Sequence, residues 1–154
     1  MQHCTIASTR DFHPWSPIAV EVAPDGSVLV AELHLSQPSY AETTIRRFTL
    51  DDNGTLVDTG ESLGAPNIPG VQDLLVPQYP HLPAAVTKML SRHVVYCSRP
   101  AGQTLGTLRI AGLEPVAAVE LAYPTGIDLT FDPLRSIVYA RTNEAGVFGP
   151  AGLG

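Results

Sequence analysis

Apolar and polar residues alternate along this chain in short runs that glycine and proline interrupt, the pattern of many brief antiparallel strands. One run spans Pro17 to Val22, turns at Pro24-Asp25-Gly26, and continues as a nearly unbroken apolar stretch from Ser27 to Ala31. A second begins at Pro69-Gly70, continues to Val76, and resumes after an insert at His93 to Cys97. A third spans Pro124 to Phe131, turns at Asp132-Pro133, and resumes from Ser136 to Ala140. The starts near 17, 70 and 124 are spaced by 53 and 54 residues. A fixed period of that length is the signature of a repeat architecture.

The remainder of each unit follows one plan. Thr44 to Leu50 alternates as a third strand, Asp52-Asn53-Gly54 turns it, and Thr55 to Leu63 supplies a fourth. In the second unit Thr104 to Ile110 is the third strand, Ala111 to Pro115 turns, and Val116 to Ala122 is the fourth. Gly26 supplies the positive φ that a primed hairpin turn needs. Uninterrupted apolar stretches such as Val28 to Ala31 indicate strands covered on both faces. Four antiparallel strands per unit make a propeller blade. The sequence therefore predicts one all-β domain over 1–154, β-propeller-like, with about three four-stranded blades of roughly 53 residues. Blades are expected over 17–66 and 67–123, with 124–154 completed by 1–16, where Gln2 to Thr9 reads as a strand. A β-trefoil is the alternative. The insert from Pro77 to Arg92 holds helix-forming residues, so a short helix is expected near 84–90.

The phrases Val22 to Glu32 and Pro124 to Pro133 resemble the blade signature of the lactonase, NHL and senescence-marker (gluconolactonase) propellers, over positions 17 to 144. The resemblance implies the fold. In the gluconolactonase group it also implies a divalent metal held by Glu, Asn and Asp from channel-mouth loops. Glu32, Asp73 and Asn143 are the metal candidates here by type and position.

Propeller rings contain about four to eight blades, so three cannot close one. A homodimer closing a six-bladed ring is the expected assembly. Membership of a longer propeller and an inactive truncated product are the other outcomes.

Composition narrows the functions. Lys and Arg number 9 against 15 Asp and Glu, a net charge of −6, and the cations are scattered. That distribution argues against nucleic-acid binding and against an anionic membrane surface. No apolar segment precedes Trp15 in the manner of a signal peptide, and no transmembrane run is found, so a cytoplasmic location is the default expectation. Cys4 and Cys97 form no CxxC pair and read as small hydrophobes.

No nucleophile elbow, zincin helix, Walker loop or dinucleotide fingerprint occurs. Gly149 to Gly154 reads as a flexible tail. Propeller ligands bind around the central channel, where first strands begin and second strands end. That geometry selects His13, Trp15, Asn67, His34, Arg99, Arg141 and Glu144 as ligand candidates. Glu32 and His34 share a strand face as a candidate metal or acid/base pair. Glu21, Gln72 and Asp128 recur along the first strands as polar groups facing the channel. Arg46 and Arg47 point to opposite faces and cannot form one patch. The first expectation is a binding or assembly module for a small molecule or protein, with no obligatory cofactor. The second is a lactonase-like hydrolase with a metal polarising the ester.

Overall fold

A computed structural model describes residues 15–34, 43–64, 70–98, 104–120, 125–142 and 148–152. The first sheet contains β1 (Trp15–Val22), β2 (Val28–His34), β3 (Thr43–Leu50) and β4 (Leu56–Gly64), antiparallel and in sequence order. The second contains β5 (Val71–Leu75), β6 (His93–Ser98), β7 (Thr104–Arg109) and β8 (Glu114–Glu120), in the same order. The third contains β9 (Thr125–Asp132), β10 (Ile137–Thr142) and β11 (Phe148–Gly152). The fold is all-β and propeller-like, with separate sheets and no trefoil barrel. The predicted helix is present as α1 (Ala84–Leu90).

The glycine-rich end departs from the expected tail, because Phe148–Gly152 pairs with β10 as β11. Pro150 is compatible with that role because β11 is an edge strand, where a missing donor costs no ladder bond. The expected strand Gln2 to Thr9 lies outside the described residues.

The first hairpin also differs from a primed two-residue turn. Gly26 N–H donates to Ala23 O at 3.0 Å and Ala23 N–H to Ser27 O at 2.8 Å, enclosing a three-residue loop. Gly26 sits at φ 90°, which only glycine adopts without strain, and Asp25 Oδ1 accepts the Ser27 N–H at 2.8 Å. The turn at Asp51 to Thr55 repeats this arrangement, with Gly54 at φ 78°.

The sheets stack face to face. Leu29, Ala31 and Ile45 of the first pack on Leu74, Val94, Tyr96 and Leu108 of the second. The opposite face of the second, with Leu75, Val95, Cys97 and Leu105, packs on Leu129, Phe131 and Val138 of the third. Both faces of β6 are therefore buried, which explains its apolar run. The first strands β1, β5 and β9 lie side by side across the stack.

The insert clamps all three sheets. Gln78 Nε2 donates to Val22 O at 2.7 Å, and the Tyr79 ring meets Phe131 edge-on at a centroid distance of 5.3 Å. Ser91 Oγ donates to Pro77 O, and Thr87 Oγ1 to Tyr79 O, closing the insert on itself.

Tyr96 lies flat over Gly106, its partner on β7, and a Cβ added at Gly106 would come within 2.3 Å of that ring. Tyr96 is only 6% exposed and belongs to the core between the first two sheets. Gly106→Val should therefore cost about 1–3 kcal/mol of overpacking in urea unfolding. An unchanged midpoint would show that the ring is not fixed there.

Candidate functional site

The innermost strands carry a line of carboxylates, and two of these link neighbouring sheets. Asp73 Oδ2 accepts the N–H of Leu129 at 2.8 Å, while its Oδ1 accepts the N–H of Leu74 at 2.9 Å. Glu21 accepts a backbone hydrogen bond from Val76. Each tether runs from a first strand to the backbone of the following sheet. The sequence pattern put Gln72 in this series. A β-bulge between Val71 and Asp73 advances the register by one residue and gives the position to Asp73 instead.

The tethers hold carboxylates in partly dry surroundings. Burial pushes the Glu21 carboxyl up, the Val76 bond opposes the shift, and the nearby charge of Asp73 adds to it. Burial also raises Asp73, against its two backbone bonds and together with the charge of Asp128. Cys97 carries a free thiol whose pKa is pushed up to about 12, first by burial and then by the Asp73 charge. It stays protonated near neutrality and is no nucleophile.

Glu32 is buried and lies 3.0 Å from Arg46 Nε, while Arg46 also reaches Asp58 at 3.3 Å. Arg47 pairs instead with Glu61 at 2.7 Å. By strand alternation Glu32 shares a face with Val28 and Val30, away from the second sheet, whereas Asp73 faces the third. The structure does not bring these two metal candidates together, and an arginine beside Glu32 disfavours a cation there. Asn143 lies outside the described residues. Among the described residues, no group of three His, Cys, Asp or Glu side chains is placed to hold a metal ion.

Of the ligand candidates, Trp15 and His34 are register partners at one end of the first sheet. Arg141 lies at the equivalent end of the third sheet, opposite Phe148. Those ends share one edge of the stack. His13, Asn67, Arg99 and Glu144 lie outside the described residues. A groove of about 900 Å³ opens at the other edge, between α1 and the ends of β6 and β7, lined by Lys88, Arg92, His93 and Arg109. The sequence pattern did not isolate this group. Among the described residues, no helix is long and apolar enough to cross a membrane.

No family model matches this chain, and no curated protein does. Solved structures do resemble it. A Bacteroides uniformis protein provisionally named a 6-phosphogluconolactonase aligns with a TM-score of 0.57 at 16% identity, over 90% of this chain and 40% of that one. A Bacteroides caccae protein of unknown function aligns at 0.53 and 11% identity, over 94% and 45%. KlHsv2 carrying a Gly-Ser linker in place of one loop aligns at 0.51 and 11%, over 91% and 36%. The likeness shows the fold alone. The chain spans less than half the length of each of these three structures.

The carboxylate tethers have a pH signature. A carboxyl raised in the folded state contributes stability that is fully present below its unfolded pKa, about 3.9 for aspartate, and is lost as pH rises through the folded value. Asp73→Asn should remove that contribution. In urea titrations at stepped pH, the stability difference between wild type and variant should fall as pH rises from the ordinary aspartate range. A difference constant across that range would contradict the raised Asp73.

Proposed function

We propose that this chain is a propeller-type binding and assembly module that completes a six-sheet ring with a second copy of itself. One observation carries the reading: Val20 and Val22 on β1 are 63% and 53% exposed. Their register explains what they lack. Val20 pairs with Val30 and Val22 with Val28, as Leu129 pairs with Ala140 and Phe131 with Val138 on the third sheet. Leu129 and Phe131 are covered by the second sheet. The equivalent face of β1 has no described sheet against it.

Thr130, Ile137 and Tyr139 alternate with the buried residues of β9 and β10 and form the third sheet's outer face. A two-fold axis lays Val20 and Val22 of one copy on that face of the other, and does so twice. Six sheets fall within the usual range for a closed ring. Burying the part of each valine still exposed contributes about 1 kcal/mol before the cost of association.

Size-exclusion chromatography with light scattering tests the reading. The expected mass is twice the 16.4 kDa of one chain. Val20→Lys combined with Val22→Lys should reduce it to that of one chain. A monomeric wild type over a wide concentration range, or an undisturbed dimer in the double variant, would overturn it.

A further inference from the structure

The groove beneath α1 gathers cations in an otherwise acidic protein. Its walls come from parts of the sequence that only folding joins: Lys88 lies on the insert helix, while His93 and Arg109 are register partners at the ends of β6 and β7. Arg92 immediately precedes β6. Asp25, from the first hairpin turn, is the one carboxylate among the lining residues. Elsewhere the described cations are neutralised within the fold, Arg46 by Glu32 and Asp58, Arg47 by Glu61, and Arg135 by Asp132. Arg109 has only a long, exposed contact with Glu114, at 3.4 Å. Among the described residues, Lys88 and Arg92 form no ion pair at all.

An apolar strip on α1 borders the groove. Val86, Met89 and Leu90 of α1 are 39%, 63% and 51% exposed, and no residue of that helix is buried. Residues at i, i+3 and i+4 share one face of a helix, so these three form a continuous strip. Met89 lines the groove, and Val86 and Leu90 carry the strip along the helix. The flexible thioether of methionine adapts to varied apolar side chains. The helix itself is held in place by Thr87 and Ser91, which bond back onto the insert.

We propose that this groove binds an acidic peptide segment. Glutamate or aspartate side chains pair with Lys88, Arg92 and Arg109, and an intervening apolar side chain packs on Met89. A compact anion would satisfy the cations and leave the apolar strip uncovered. An elongated segment uses both. The site lies at the opposite edge of the stack from the channel-mouth candidates. It is formed within one chain, so it does not depend on ring closure.

Fluorescence anisotropy with a short labelled peptide alternating glutamate and leucine tests the proposal. Binding should weaken as salt rises. Lys88→Glu combined with Arg92→Glu should reduce affinity at least about tenfold. Met89→Ser should reduce it separately, and a peptide with glutamine in place of glutamate should not bind. All three substituted side chains are exposed, and matched thermal unfolding curves confirm the fold of each variant. The proposal fails if the peptide does not bind or if the charge-reversal variant binds it equally well. It fails equally if inorganic phosphate displaces the peptide at comparable concentration, which would identify a small-anion site. Tighter, Lys88- and Arg92-dependent binding to phosphatidylserine vesicles than to the peptide would identify a membrane surface and overturn it too.

Discussion

A β-sheet with apolar residues on both faces must be covered on both, and this architecture follows from that constraint. The second sheet shows it fully met. Val94 and Tyr96 of β6 pack on the first sheet while Val95 and Cys97, the alternate residues, pack on the third. Burial at about 25 cal/mol per Å² over two such seams favours the stack. Alternation then requires the first sheet to present Val20, Val22, Val28 and Val30 on its far side. Val28 and Val30 are buried there with Phe48, while Val20 and Val22 are not. Leu50 of β3, two residues beyond Phe48 on the same face, is exposed as well.

Polar groups serve the same stacking. Glu21 and Asp73 would be expensive to bury without partners, and each has one in the backbone of the next sheet. The insert adds contacts beside these tethers, bonding to Val22 next to Glu21 on one side and packing on Phe131 on the other. Successive sheets are thus fixed by these polar contacts as well as by their apolar faces. The same insert holds α1 above the ends of β6 and β7 and so creates the basic groove. One segment thus both ties the sheets together, through Gln78 and Tyr79, and lines the groove, through Lys88 and Met89.

The strands were legible in the sequence because alternation and turn residues are local signals. Val28 to Ala31 and His93 to Cys97 could be read as doubly buried from composition alone, and Ala84 to Leu90 as helix. Three features were not legible. β11 was hidden by Gly149, Pro150 and Gly152, which are poor strand formers and are tolerated because the strand lies at an edge. The bulge between Val71 and Asp73 shifted the carboxylate series by one residue, and bulges leave no clear sequence trace. The groove depends on His93 facing Arg109 across a strand pair, with Lys88 brought in by the insert. That is a tertiary juxtaposition of residues that look like scattered surface charges. Of the channel-mouth candidates, the structure places Glu32 and Asp73 on different sides of the first seam, which spacing along the chain could not reveal.

Small-angle X-ray scattering of the purified chain tests the central claim most directly, because a closed stack of sheets and an open one differ in shape as well as mass. The account predicts a compact disc with the mass of two chains, whose distance distribution fits six sheets around a channel. A particle with the mass of one chain, its distances accounted for by three stacked sheets alone, would contradict it.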